Sequence, residues 1–137
     1  MKPVRELVPH EGAMCLLDRV LEWDAGSIAC AATSHRDPSN PLRGADGLSA
    51  IAGVEYAAQA VAAHAVLTTG SSERRKGYLA SLRDVICSVE RLDTEPADLT
   101  VNANQVAAQA ARLLYDFRID AGGRELLRGR LSVVLRT

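Results

Sequence analysis

The sequence lacks a charge imbalance and has few cysteines. Its 16 basic and 17 acidic side chains leave a net charge of −1 at pH 7, which is not the basic footprint of a nucleic-acid-binding protein. Cys15, Cys30 and Cys87 are odd in number and form no C-x-x-C pair, so neither a disulfide framework nor a zinc site is indicated. We expect the cysteines to be small buried hydrophobes in a reducing compartment.

The amino terminus also lacks a long apolar run. Its first residues, MKPVRELVPHEG, do not have the apolar centre of a secretory signal, so we expect a cytoplasmic protein. A chain of 137 residues is long enough to bury one core. We therefore predict a single domain over residues 1–137.

Residues 48–69 contain neither proline nor a run of charges, and Gly47 and Gly70 flank them. This pattern predicts one long helix with marked ends. Apolar residues occupy nearly every side of it, which is typical of a buried helix. Glu55, Gln59 and His64 lie within it, and such residues are costly inside a bilayer. We predict a core helix and no membrane span.

Most of the remaining chain has strand character. Residues 14–23 and 27–34 predict a hairpin, followed after the helix by extended segments at 78–92 and, more weakly, at 99–108. Alternating apolar positions predict a final hairpin, with Leu113, Tyr115, Phe117 and Ile119 on one face of its first strand and Leu127, Gly129, Leu131, Val133 and Leu135 on its second. The prediction is an α+β fold, in which a curved antiparallel sheet of five to six strands wraps one central helix. Its exposed edge predicts a dimer.

Three segments resemble a known family. The opening LVPHEGAMCLLDRVLEWDAGSIACAATS, the helix segment GVEYAAQA and the closing YDFRIDAGGRELLRGRLSVVLRT are similar to the hotdog-fold 3-hydroxyacyl-(acyl carrier protein) dehydratases. SHRDPSNPLR and GYLASLRDV resemble the dehydratase-like proteins of aryl-polyene pigment pathways. The resemblance implies a single hotdog domain that dehydrates 3-hydroxyacyl thioesters in fatty-acid-like or aryl-polyene biosynthesis. It also implies a substrate carried on the phosphopantetheine of an acyl carrier protein, without metal or other cofactor.

The helix motif of the family places the catalytic acid at Glu55. Gln59 follows one turn later, about 40° around the helix axis and therefore on the same face. The catalytic histidine of the family lies fourteen residues before this glutamate, where the present chain has Pro41. The base is therefore left open between His35, in the loop before the helix, and His10, beside a proline at the predicted mouth of the acyl tunnel.

The other site assignments also have structural alternatives. Predicted substrate-binding residues are Gln59, Gly53, Gly47 and Arg43. Glu55 could instead form an ion pair with Arg43 or Arg83, and His35 could be an ordinary loop histidine. We expect His64 to be packed in the core or at an interface. Basic residues flanking the helix could meet an acidic carrier protein or be solvated surface charge; they are Arg36, Arg43, Arg74, Arg75 and Lys76.

Two rival functions share the same predicted fold. The chain could be a non-catalytic hotdog subunit that pairs with an active dehydratase, which the missing loop histidine favours. It could also be an acyl thioesterase, in which a carboxylate activates water. A homodimer and a heterodimer with another hotdog subunit both remain open.

Overall fold

The computed structural model describes residues 14–70 and 76–136. They form one helix and one six-stranded antiparallel sheet with the order β1-β2-β4-β5-β6-β3. The elements are β1 (Arg19–Trp23), β2 (Ser27–Ala32), α1 (Gly53–Thr69), β3 (Lys76–Cys87), β4 (Leu99–Gln109), β5 (Arg112–Ala121) and β6 (Arg124–Arg136). The sheet curves around α1, which confirms the predicted α+β hotdog fold. Residues 3–9, whose sequence PVRELVP predicts a short helical turn, lie outside the described residues.

The central helix begins later than predicted. A 3₁₀ turn covers Ala50–Ala52, and regular α-helix starts at Gly53. The preceding residues are hydrogen-bonded elsewhere, because the Leu48 amide donates to the Asp93 carboxylate and the Ala50 amide to the Glu90 carbonyl. The predicted end is confirmed. Gly70 takes the left-handed conformation at φ 67° and its amide donates to the Val66 carbonyl.

The inner face of the sheet and the helix form one core. The alternating residues predicted to share a face on β5 are all buried, and so are four of the five predicted on β6, Gly129 being half-buried. The helix contributes Tyr56, Ala57, Ala60 and Val61, each completely buried. By length and composition Ala50–Thr69 could cross a membrane, but most of this segment is buried inside the fold. It has the burial of a core helix.

His64 is packed in this core, which is one of the two environments predicted for it. Its Nε2–H donates to the Asp24 carbonyl at 2.8 Å, and its Nδ1 accepts from the Tyr115 hydroxyl. Gln105 donates to the same hydroxyl at 3.4 Å. Burial raises the pKa of Tyr115 to about 12, so the hydroxyl keeps the proton that it donates. The network ties the helix to the first hairpin and to β5.

The cysteines differ from one another in burial. Cys30 is buried on β2, and burial raises the pKa of its thiol to about 12. Cys15 is half-buried. Cys87 is exposed at the end of β3, so the prediction of three buried cysteines was wrong there. Its strand lies at an edge of the sheet, which one sequence does not reveal.

The β3 edge strand leaves large apolar side chains exposed. Leu79 and Leu82 pair with the buried Val133 and Leu131 of β6. Paired residues point to the same face of a sheet, so both leucines lie on the helix side. They are nevertheless 41% and 36% exposed. The helix side of β3 is therefore an uncovered apolar strip.

Candidate active site

Glu55 lies in the first turn of α1, with its side chain exposed. Among the described residues it has neither a hydrogen bond nor an ion pair. Ile51, one turn earlier on the same side, is 50% exposed. This exposed carboxyl group, beside an uncovered apolar residue, is free to reach a group outside the chain.

The two arginines considered as ion-pair partners of Glu55 do not bind it. Arg43 lies 3.5 Å from the Asp93 carboxylate and donates from Nε to the Asp37 carbonyl. Arg83 is exposed on β3 and forms no ion pair within the described ranges. The structural alternative for Glu55 is therefore not realised with either residue.

His35 is buried completely in a 3₁₀ turn after β2. Its Nε2–H is shared between the Glu95 and Ala97 carbonyls at 3.1 and 3.0 Å, and its Nδ1 is buried without a partner. Burial lowers the pKa of the imidazole, so the neutral form is favoured. No hydrogen bond joins it to Glu55. Its role as a base stays a prediction, and the observed contacts secure the 95–97 loop.

The remaining histidines present no free nitrogen in the described residues. His64 uses both ring nitrogens in the core network, and His10 lies outside the described residues. Thus, within the part of the chain that the structure describes, no histidine is exposed beside Glu55. Glu55, the candidate acid, is exposed, whereas the described residues place no histidine base beside it.

Gln59 is on the same helix as Glu55 and is 2% exposed. Its Nε2 donates to the Met14 carbonyl at 2.6 Å, and its Oε1 accepts from the Leu16 amide at 2.9 Å. Both ends of the amide are therefore engaged by main chain. Direct substrate binding by Gln59 stays a prediction, and the contacts assign its amide to the segment before β1.

Gly53 and Gly47 have packing reasons to be glycine. A Cβ on Gly53 would lie 2.9 Å from side-chain carbons of Ile119 and Leu127, so its absence lets the helix start approach the sheet. Gly47 has φ +94°, and a Cβ there would lie 2.6 Å from the Arg91 guanidinium. Their predicted contact with a thioester is untested.

Asp93 holds the loop before the helix, a role that the sequence analysis missed. It accepts from the Leu48 amide at 3.0 Å and from the Arg91 guanidinium. The hydrogen bond from Arg91 is the main cause of a pKa well below the usual aspartate range. Arg43 also contacts this carboxylate, so its predicted substrate role competes with a structural one. Nothing in the local sequence joins residues 43 and 93.

The basic residues predicted to meet a carrier protein are only partly described. Arg36 binds Asp98 at 2.8 Å and the Pro96 carbonyl. Arg74 and Arg75 lie outside the described residues, and the side chain of Lys76 is not described. The described arginines of this group thus have acidic partners in their own chain.

Comparison with solved structures supports the fold. A dehydratase heterocomplex, ApeI:P, from Xenorhabdus doucetiae matches with a TM-score of 0.88 and 24% identity, over 100% of this chain and 93% of the other. AziG of S. sahachiroi matches with a TM-score of 0.64 and 17% identity, over 96% and 99% of the two chains. A mutant thioesterase from Pseudomonas aeruginosa gives 0.61 and 16%, over 86% and 81%. At these identities the matches establish the fold alone.

Comparison with protein families is more specific. A search of curated proteins finds no match. The family described as ApeP-like, ApeP dehydratase, matches residues 2–136, which is nearly the whole chain. The helix with Glu55 and the sheet around it both lie within the matched range. The chain therefore belongs to the ApeP-like dehydratase family.

Proposed function

We propose that this chain is a subunit of an enzyme that dehydrates 3-hydroxyacyl thioesters, carried on an acyl carrier protein, to enoyl thioesters. The observation that carries the proposal is Glu55, an exposed carboxyl group without a partner among the described residues, in a chain of a dehydratase family. A carboxyl group so placed can donate a proton to a departing hydroxyl.

The reaction needs two proton-transfer groups. A base removes the proton on the carbon next to the thioester carbonyl, and the electron pair forms the new double bond. Glu55 protonates the hydroxyl on the adjacent carbon, the carbon–oxygen bond breaks, and water leaves. Atoms and charge balance without oxidation, so the proposed reaction needs no redox cofactor. In this proposal the thioester arrives on the phosphopantetheine of the carrier protein, and the reaction takes place in the cytoplasm.

We propose that the uncovered strip of β3 is where a second hotdog subunit binds. An edge strand offers unpaired main-chain groups to another strand, and Leu79 and Leu82 add apolar area to it. Ile51 and Glu55 lie at the start of the neighbouring helix. A subunit docked on the strip would enclose Glu55 in an apolar environment, in which its carboxyl group would act in the absence of bulk water.

A heterodimer accounts best for the missing base. His64 uses both ring nitrogens, and His35 is buried with only its Nδ1 unpartnered, so we propose His10 or a group of the partner subunit as the base in preference to His35. The structurally similar ApeI:P assembly is a heterocomplex of dehydratases, which supports a partner of the same fold. The same observations favour a second candidate function, a non-catalytic subunit that completes an active partner.

Activity of purified chains tests the proposal. The chain alone, a hotdog dehydratase subunit from the same organism alone, and the two co-purified would each be incubated with 3-hydroxyacyl carrier protein. Mass and ultraviolet absorbance would follow the enoyl thioester. Product from the mixture above the sum of the single chains is expected. Product from the partner alone at the full rate contradicts the proposal, and release of free thiol instead indicates thioester hydrolysis.

Glutamate variants then separate the two candidate functions. In the active mixture, loss of turnover on changing Glu55 to Gln identifies this chain as a catalytic contributor. Unchanged turnover, with the complex still assembled by size, identifies it as a non-catalytic subunit.

A further inference from the structure

The segment before β1 is attached to the central helix by side chains, because it is not part of a strand pair. β1 begins at Arg19, yet Leu16 and Leu17 are already buried, at 0% and 3% exposure. Buried main-chain groups need hydrogen-bond partners. The structure supplies them from the helix and from the turn after β2.

Gln59 supplies two of these partners. Its amide oxygen accepts from the Leu16 N–H, and its amide nitrogen donates to the Met14 carbonyl. This donor and acceptor pair replaces the two bonds that a neighbouring strand would offer. A glutamine side chain is one of the few that can do both at once.

Ser34 completes the attachment from the other side. Its hydroxyl donates to the Leu16 carbonyl at 2.7 Å and lies 2.7 Å from the hydroxyl of Tyr56, which the Asn40 amide also contacts at 3.0 Å. Because the Ser34 proton goes to Leu16, the Tyr56 hydroxyl donates to Ser34. Gln59 and Ser34 thus bind the N–H and the carbonyl of Leu16, and each of these side chains has a further hydrogen bond of its own.

The attached segment lies beside the proposed acid. Gln59 follows Glu55 by one helical turn, about 6 Å along the axis and on the same face. Met14, bound through its carbonyl to Gln59, leaves its side chain 38% exposed. The partly exposed Met14 side chain therefore belongs to a segment that is attached one helical turn from Glu55.

We propose that Gln59 is a positioning residue that holds the main chain of residues 14–16 as a wall of the acyl site beside Glu55. The wall role rests on the proposed function, whereas the attachment itself does not. Gln59 acts through Met14 and Leu16 and does not touch substrate, because both ends of its amide are already used. This role differs from the direct substrate binding that the sequence analysis predicts.

Hydrogen exchange of the full chain tests the attachment. Changing Gln59 to Met keeps the side chain unbranched and removes both hydrogen bonds. We expect exchange at the Leu16 amide to become about tenfold faster, the effect of one lost hydrogen bond of ordinary strength. Gln59→Glu keeps the acceptor for Leu16, and exchange there should change less. Unchanged exchange at Leu16 in the Met variant overturns the proposal.

Steady-state kinetics of the co-purified assembly tests the wall. A displaced wall weakens substrate binding, so KM should rise about fivefold or more in Gln59→Met. A purely structural defect lowers the amount of active enzyme and leaves KM unchanged. Gln105→Met, which removes a glutamine amide near Tyr115 far along the sheet, is the matched control and should change neither readout.

The outcomes separate the two parts of the proposal. Faster exchange with unchanged KM leaves Gln59 as a structural anchor and overturns the wall. A wild-type assembly that forms no enoyl product overturns the proposed function and the wall together, while the exchange result still decides whether the attachment exists.

Discussion

Two polar residues of the same helix, Glu55 and His64, have opposite environments. His64 is completely buried, and both of its nitrogens have partners in its own chain. Glu55, nine residues earlier, is exposed and has no partner among the described residues. They lie about 180° apart around the helix axis. The helix is therefore satisfied within the chain at His64, whereas its first turn is left open at Glu55.

The difference teaches how to distinguish a structural polar residue from a functional one. A buried polar group is tolerated when its hydrogen bonds are satisfied, and His64 meets this condition without any ligand. The uncovered strip of β3 likewise carries apolar side chains that are exposed within the chain. We propose that one docked subunit covers both.

The largest expected effect is at Glu55. Glu55→Gln keeps the shape of the side chain and removes the acid, so turnover of the assembled enzyme should fall about 10²–10⁴-fold, the usual contribution of a general acid. Stability should change by less than about 0.5 kcal/mol, because the residue is exposed. Glu22→Gln, an exposed glutamate on β1, is the control. Equal turnover in both variants would remove Glu55 from the mechanism.

The next effect is on assembly. Leu82→Glu places a carboxylate in the uncovered strip, where a docked subunit would leave it without water or a partner. We expect the dissociation constant of the complex, measured by analytical ultracentrifugation, to rise about 100-fold, equivalent to about 3 kcal/mol. Val106→Glu alters an equally exposed apolar residue on β4 and should have no effect. Similar losses in both variants would place the interface elsewhere.

A smaller effect is expected at His64, on stability instead of turnover. His64→Leu leaves the Asp24 carbonyl without this donor and the buried Tyr115 hydroxyl without its acceptor. The free energy of unfolding in urea should fall by about 1–3 kcal/mol. The variant should retain its turnover per folded molecule. A loss of turnover without a loss of stability would show that the comparison with Glu55 is wrong.

The smallest effect is the pH dependence due to His35. Burial lowers its pKa below the ordinary value of 6.5, so below pH 6.5 the unfolded chain binds a proton that the folded chain resists. Stability should therefore decrease as pH falls from 6.5, by at most about 1.4 kcal/mol per pH unit. His35→Gln should flatten this part of the stability profile in chemical denaturation. The pKa of Asp93 is also lowered from its ordinary value of 3.8. Its effect on stability therefore lies below pH 3.8 and does not overlap with the effect of His35. An identical slope in both proteins would contradict the prediction.

Much of the fold could be predicted because its signals are local. Alternation along β5 and β6, the apolar helix and its terminal glycine all indicate structure within a few residues. The start of the helix could not be predicted, because Leu48 and Ala50 are held by Asp93 and Glu90, more than thirty residues away. The exposed Cys87 was missed for a similar reason, since only the strand order places β3 at an edge.

The residues of the candidate site also differ in whether local sequence or tertiary contacts assign their roles. Glu55 is recognisable from its motif in an apolar helix, whereas Gln59, His35 and Arg43 carry polar groups that sequence alone cannot assign to substrate or to structure. Their partners are the main chain of residues 14–16, the 95–97 loop and Asp93. Those contacts became visible only in the folded chain.

The sequence by itself determined the helix, the strand pattern and the acid candidate, because periodicity and a short motif act over neighbouring residues. Tertiary structure alone decided which polar residues are satisfied and which face is left open. Hydrogen-bond satisfaction depends on groups that are distant in sequence and meet only when the sheet closes around the helix. In this chain that closure occupies His35, Gln59 and His64 and leaves Glu55 exposed.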